Sequence, residues 1–191
     1  SSDRTGVLDA ARIRFNAARA STAASQSGGD VLRPSDPRPG PGVLLFLLRH
    51  GRATDNAEIT RGALEALRAI DKSALHDHLG GGFHRGLRDE STPHFEKTLE
   101  DQLLFANVYF EAWRVSGEKR FADVTRSTLD FVLREMRNPA GGFDASMAAR
   151  SFVPGARGPE IEDGAIYYWQ MSEVNKILGA PMGERVRAHF G

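Results

Sequence analysis

The sequence predicts an all-α protein built from stacked helical hairpins. Two observations favour this class: apolar residues recur at helical spacing along most of the chain, and Gly-rich turns separate these periodic stretches. The repeated order of helix, Gly-rich turn and helix indicates hairpins that pack side by side.

The chain divides into three predicted parts. Residues 1–20 place Leu8 and Phe15 on one helical face, which predicts an N-terminal amphipathic helix. Residues 21–42 are rich in Ser, Gly and Pro, and the closely spaced prolines remove backbone donors and favour extended geometry, so we predict a linker. Residues 43–191 form the predicted helical-hairpin domain.

The domain begins with two predicted helices. Residues 43–49 are apolar all round, which predicts a buried helix that ends near Gly51. Residues 56–70 carry apolar side chains at helical spacing and form the second predicted helix. Gly80, Gly81 and Gly82 then interrupt the pattern.

The longest predicted helix starts at Thr92 and Pro93, a cap residue followed by a first-turn proline, and ends at Gly117. Its predicted inward stripe consists of Phe95, Leu99, Leu103, Ala106, Phe110 and Trp113. The next predicted helix runs from Phe121 to Met136.

The C-terminal part is less regular in its pattern. Residues 144–164 are predicted to be irregular, and residues 167–169 form a predicted short strand. Residues 172–178 predict a short helix that ends at Gly179.

Composition excludes several classes of protein. The absence of Cys excludes disulfide scaffolds, zinc–thiolate sites and thiol chemistry, and 25 Lys and Arg against 25 Asp and Glu argue against a nucleic-acid partner. The longest apolar run, residues 43–48, is far shorter than the roughly 20 residues that cross a bilayer. We therefore expect a soluble chain without membrane partner or cofactor, with the cytoplasm slightly favoured.

The first stretch with chemical potential is residues 75–85. Three consecutive glycines are costly to order, which indicates that the backbone passes close to another group. His84 and Arg85 follow directly and suit a carboxylate, a phosphate or sugar hydroxyls. Asp77 separates His76 and His78, but no third and fourth ligand stands at metal-site spacing, so we predict no metal. The alternative is a tight turn between helices.

The second stretch is residues 92–99. If it begins a helix, Glu96 suits the first turn, whereas His94 and Lys97 oppose the helix dipole by about 0.3–1 kcal/mol each. His94 would then be held neutral, as a general base requires. The alternative is a solvated first turn.

Two further groups are weaker candidates. The first is the aromatic set on the longest helix, which is more typical of core than of a sugar platform: Phe105, Tyr109, Phe110 and Trp113. The second is an acidic cluster of Glu160, Glu162 and Asp163, which is typical of a solvated loop.

Further motifs flank the two stretches, at residues 46–51, 128–136, 141–143 and 168–169. Taken together in chain order, the stretches and these motifs resemble those of the spermatogenesis-associated, thioredoxin-domain-containing family. Its members carry a thioredoxin-like domain followed by an (α/α) toroid, similar to that of six-hairpin glycosidases and N-acylglucosamine 2-epimerases. The resemblance implies that both stretches line the central cavity of such a toroid and that the chemistry is of sugar epimerase or hydrolase type.

The chain departs from the family pattern in three ways. It lacks the thioredoxin-like domain, and residues 144–150 retain few of the carboxylates that normally follow the Gly-Gly-Phe motif. Its length supplies about half of a six-hairpin ring. The open edge requires a second copy or a partner chain to cover it, unless the chain is a fragment or repacks as a bundle.

Three functions therefore stay open: a small sugar-directed enzyme, a ligand-binding module without chemistry, and a helical assembly module that pairs through its open edge. The predicted catalytic residues of the enzyme are His84, His94, Glu96 and Asp89. The predicted binding residues for a sugar or other small polar ligand are Arg85, Lys97, His78 and Asp77. The missing carboxylates favour binding over sugar turnover.

Overall fold

Four helices make up the first part of the structure: α1 (Pro41–Ala53), α2 (Ala57–Asp71), α3 (Leu99–Ser116) and α4 (Lys119–Phe131). A π-helical turn over Val132–Met136 extends α4. The computed structural model describes residues 40–89, 91–155 and 158–190. The predicted N-terminal helix and nearly all of the predicted linker lie outside these residues.

Consecutive helices pack as hairpins, α1 with α2 and α3 with α4, and α1 also packs against α3. The described helices thus supply stacked hairpins, the repeating unit of an (α/α) toroid, and the predicted all-α class is confirmed. The described chain divides into two units between Met147 and Ala148, and the predicted domain over residues 43–191 spans both.

Local signals explain where these helices start and stop. The Asn56 side chain accepts hydrogen bonds from the backbone N–H groups of Glu58 and Ile59 and caps α2. Gly117 adopts φ 73° and ends α3, which confirms the predicted stop. At Gly51, a Cβ would lie 2.5 Å from Thr60 Oγ1, so glycine lets α1 and α2 approach closely.

One apolar core lies between the four helices, and its fully buried side chains include Leu44, Leu48, Leu67, Ile70, Val108, Tyr109, Phe121 and Val124. The Tyr109 hydroxyl donates a hydrogen bond of 2.8 Å to the Leu67 carbonyl, which satisfies the polar atom that this ring carries into the core. The predicted all-round burial of α1 is wrong, because Phe46 is 44% exposed.

Helix α3 differs from its prediction in start and in orientation. It begins at Leu99, where the Thr98 hydroxyl accepts the Asp101 N–H, so Thr92 is not the cap. Of the predicted inward stripe, Leu103, Phe110 and Trp113 are exposed. Ala106 is buried as predicted, but the rest of the buried face includes Gln102, Phe105, Val108 and Tyr109. Helix α3 is apolar on two sides, and spacing alone did not select the core side.

Short strands replace the predicted first turn of α3. β1 (Gly86–Leu87) pairs with β2 (Pro93–His94), and β3 (Lys97–Thr98) pairs with β4 (Ser146–Met147), all antiparallel.

The second unit contains an antiparallel hairpin and two helices: β5 (Arg150–Phe152), β6 (Ile161–Asp163), α5 (Met171–Leu178) and α6 (Ala180–Phe190). The prediction of an irregular segment over residues 144–164 is therefore wrong in part. The predicted strand at residues 167–169 is wrong too, since a 3-10 turn covers Ala165–Tyr167. The predicted short helix and its end at Gly179 are confirmed.

Candidate functional site

The two predicted stretches meet beside the start of α3. The Arg85 N–H donates a hydrogen bond of 2.8 Å to the Glu96 carbonyl, and the β1–β2 ladder places Gly86 opposite His94. Next to the β3–β4 pair, the Leu99 N–H donates a hydrogen bond of 2.9 Å to the Ala145 carbonyl. Two short antiparallel strand pairs thus bring segments that are far apart in sequence to the start of α3.

The glycine turn packs against the protein itself. Gly82 has φ 74°, and a Cβ there would lie 2.6 Å from Phe131 Cδ1 and 2.7 Å from Gln102 Oε1. The backbone does pass close to other groups, as predicted, and the groups that Gly81 and Gly82 approach belong to α3 and α4. Gln102 fixes the turn further, because its side-chain amide accepts from the Phe83 N–H and donates to the Phe83 carbonyl, each at 2.7 Å.

Lys97 and Asp77 form a buried ion pair beneath this turn. Lys97 Nζ lies 2.7 Å from Asp77 Oδ2, 2.8 Å from the Gly81 carbonyl and 4.5 Å from the centre of the Phe131 ring. Burial lowers the pKa of Lys97. Burial is the largest influence on Asp77 and acts to raise its pKa, but the charge and hydrogen bond of Lys97, together with the N–H groups of Gly80 and Leu79, hold that pKa below its usual value. The pair stabilises the turn.

A second buried cluster lies at the end of α2. Asp71 accepts a forked pair of hydrogen bonds from Arg120, each of 2.7 Å, and a bond of 3.0 Å from His76 Nδ1. Burial acts to raise the pKa of Asp71, but these bonds, with the charge of Arg120, hold it well below its usual range. His76 stacks on Phe83 and contacts the exposed His78 ring at 4.6 Å.

The two predicted catalytic imidazoles lie in different surroundings. His84 is 3% exposed and meets the Phe95 ring edge-on at 5.7 Å; burial, followed by the charge of Lys97, lowers its pKa to about 4. His94 is half-buried, and its Nδ1 lies 4.0 Å from Glu96 Oε2. The same oxygen lies 3.1 Å from Arg85 Nη1, so Glu96 stands between the imidazole and the guanidinium.

An open cleft of about 750 Å³ lies beside Arg85 at the start of α3. Its apolar lining includes Leu99, Leu103 and Leu104, and its polar lining is Arg85, Thr98, Glu100, Asp101, Asn107 and Ser146. The Thr98 hydroxyl donates a hydrogen bond of 2.5 Å to Asp101 Oδ2. Burial raises the pKa of Asp101, and the neighbouring carboxylates add to the effect.

The structure separates the predicted site residues into three groups. Arg85 lines the cleft, with Glu96 and His94 beside it, whereas His84, Lys97 and Asp77 lie packed in the interior. His78 is exposed and outside the cleft lining. Asp89 is exposed in a turn, where its carboxylate accepts the N–H groups of Ser91 and Thr92. The predicted roles of these residues remain predictions.

Sequence reasoning missed most of the cleft's polar groups. The signal for one pair was present, since Thr98 and Asp101 stand three apart, as a cap residue and its first-turn partner do. Asn107 carried no local signal. Of the weaker candidates, Phe105 and Tyr109 are core, Phe110 and Trp113 are exposed, and Glu160 and Glu162 are exposed on or beside β6.

Among residues 40–89, 91–155 and 158–190, His, Asp and Glu side chains form no group of three that could hold a metal ion. Within the same ranges, every helix is too short or too polar to span a bilayer.

Comparison with known proteins connects the chain to one group. It is 36% identical over 151 residues to spermatogenesis-associated protein 20 of Rattus norvegicus, a match that covers 76% of this chain and 19% of that protein. The corresponding Homo sapiens protein is 33% identical over 168 residues, covering 80% of this chain and 21% of that protein. The chain thus spans about a fifth of these relatives' length, and the predicted resemblance is confirmed.

Other comparisons give weaker similarity. A D-mannose isomerase structure matches 58% of this chain and 30% of that chain with 16% identity and a TM-score of 0.49. A sugar epimerase from a ruminal bacterium matches 65% of this chain and 32% of that chain with 14% identity and a TM-score of 0.46. No family model matches the chain.

Proposed function

We propose that this chain, which is similar over most of its length to part of spermatogenesis-associated protein 20, binds a small polyhydroxylated ligand of sugar type in the cleft at the start of α3. The observation that carries the proposal is the lining of that cleft. A guanidinium, carboxyl groups, a hydroxyl and a side-chain amide surround leucine side chains within about 750 Å³.

This lining suits the chemistry of a sugar. Each sugar hydroxyl both donates and accepts hydrogen bonds, and Asn107 offers both roles while Arg85 donates only. The C–H face of a sugar ring is apolar and suits contact with Leu103 and Leu104. The cleft volume also lies within the range of about 300–1,000 Å³ that is common for ligand sites.

Ligand binding in the cleft is better supported than a catalytic role for His84. Its imidazole is packed in the interior and does not line the cleft. A pKa of about 4 keeps it neutral at pH 7, but a general base must also reach the proton that it abstracts. His94 lies beside Glu96, which pairs with Arg85 of the cleft lining, so residual acid–base chemistry is assigned to His94 rather than to His84.

The test is isothermal titration with a panel of uncharged hexoses, together with thermal denaturation. A ligand that binds only the folded state stabilises it by about 3 kcal/mol at a hundred times its Kd. We expect Arg85→Ala and Asn107→Ala to weaken binding at least tenfold. Arg126→Ala removes an exposed, carboxylate-paired arginine on α4 and should leave binding unchanged. Unchanged affinity in all three variants would contradict the proposal.

The apolar outer face of α3 supports a second candidate function, assembly with another copy or a partner chain. Leu103, Phe110 and Trp113 are each more than 40% exposed, and the last two rings contact each other at 5.7 Å. Light scattering tests this function. A dimer that Trp113→Glu converts to a monomer, without any response to hexoses, would favour assembly over ligand binding.

A further inference from the structure

The ion pair between Arg85 and Glu96 lies at the edge of the cleft. Its atoms Nη1 and Oε2 are 3.1 Å apart, and the Arg85 N–H donates to the Glu96 carbonyl at 2.8 Å. This backbone hydrogen bond holds the two residues opposite each other, so their side chains lie within reach of one another. The guanidinium carries five N–H donors, and others remain for a ligand in the cleft.

The charges around the cleft are mostly negative. Arg85 is the single cation among the described residues of the lining, and Glu100 and Asp101 line the same space. With Glu96, one guanidinium faces three carboxyl groups. The raised pKa of Asp101, caused first by burial and then in part by Glu100 and Glu96, agrees with an environment that disfavours further negative charge.

We propose that Glu96 determines the ligand class of this cleft: it balances the charge of the Arg85 guanidinium and so admits uncharged polyols while excluding sugar phosphates and sugar carboxylates of similar shape. The inference rests on the proposed function in taking the cleft as the ligand site. A phosphate at the remaining Arg85 donors would meet a guanidinium whose charge Glu96 already balances, and it would approach two further carboxyl groups. An uncharged hydroxyl can use the same donors without that repulsion.

The variant that tests this is Glu96→Gln. It keeps the size and shape of the side chain but removes the charge that neutralises Arg85. We expect the wild-type chain to bind inorganic phosphate and a hexose 6-phosphate at least tenfold more weakly than the parent hexose. By isothermal titration, Glu96→Gln should bind both phosphates at least tenfold more tightly than wild type does.

Two further variants test whether the gain in phosphate affinity is specific to the pair between Arg85 and Glu96. Glu118→Gln releases Arg68 from a comparable half-exposed pair outside the cleft lining and should gain no phosphate affinity. The double variant Glu96→Gln with Arg85→Ala should lose the gain that the single variant shows, because the released guanidinium is then absent.

The outcomes separate this inference from the proposed function. Equal wild-type affinity for a hexose and its phosphate, or no phosphate gain in Glu96→Gln, overturns the role of Glu96 even if hexoses bind. Phosphate gain in Glu96→Gln that depends on Arg85, without any hexose binding, overturns the proposed polyol ligand and still supports Glu96 as the residue that excludes anions.

Discussion

Two ion pairs within residues 75–98 lie in different environments. In the pair between Lys97 and Asp77, Nζ and Oδ2 are 2.7 Å apart and the side chains are 1% and 10% exposed. In the pair between Arg85 and Glu96, the corresponding distance is 3.1 Å and the side chains are 37% and 25% exposed. The residue types are alike, and burial separates their roles.

The difference shows which charges a ligand can use. Lys97 and Asp77 also bind backbone groups of the glycine turn, so moving either one leaves a buried charge without compensation. A half-exposed pair contributes only about 0–1 kcal/mol to stability, so the fold depends little on the pair between Arg85 and Glu96. Predictions about stability and about binding therefore concern different pairs.

The largest expected effect comes from Lys97→Met. It removes the cation and leaves the buried Asp77 carboxylate unpaired, which typically costs about 3–5 kcal/mol. Urea denaturation, followed by circular dichroism, measures the loss of free energy of unfolding.

Its control is the double variant in which Asp77→Asn accompanies Lys97→Met. This variant should recover part of the lost stability, because no unpaired buried charge remains. A loss for Lys97→Met as small as that for Arg85→Ala would show that the two pairs do not differ.

The next effect is on the pH dependence of stability, through His84. Its pKa is lowered from 6.5 to about 4, so the unfolded chain takes up a proton below pH 6.5 while the folded chain does not. Stability is full above pH 6.5 and falls as the pH decreases to 4, by up to about 3 kcal/mol.

His84→Gln should remove this decline between pH 6.5 and 4 in urea denaturation series. His78→Gln, which replaces an exposed imidazole, should retain most of it. The same slope in His84→Gln as in wild type would show that His84 is not held neutral by its surroundings.

The smallest expected effect on stability is that of Arg85→Ala. Because the pair with Glu96 is half-exposed, the free energy of unfolding should fall by less than about 1 kcal/mol. Measured beside the hexose titration, this variant separates ligand binding from folding. A loss above 2 kcal/mol would place Arg85 among the structural residues, together with Lys97.

The sequence predicted helices well where a cap or a stop is local. Gly117 ends α3 through its own backbone geometry, and this prediction is confirmed. The helix predicted over residues 56–70 is found at Ala57–Asp71, where the Asn56 side chain caps its start. Thr92 and Pro93 show the same kind of signal, yet Thr98 is the cap. The extended segment before it is stabilised by pairing with residues 86–87 and 146–147, which no local pattern indicates.

Predictions of which helix face is buried failed for a related reason. Helix α3 is apolar on two sides, so spacing could not show that Tyr109 is buried while Phe110 is exposed. For the glycines, the sequence correctly indicated a close approach but not its partner. The residues that meet Gly82 are Phe131 and Gln102, which lie 49 and 20 positions away.

By itself the sequence determined the all-α class, most helix ends and the family resemblance, because these depend on spacing, on capping groups and on motif order along the chain. Only the tertiary structure decided that Lys97 and His84 are buried while Arg85 lines a cleft with Asn107. The burial and the partner of a side chain depend on which distant segments of the chain pack together. Charged side chains of similar type therefore have different roles at different places in the fold.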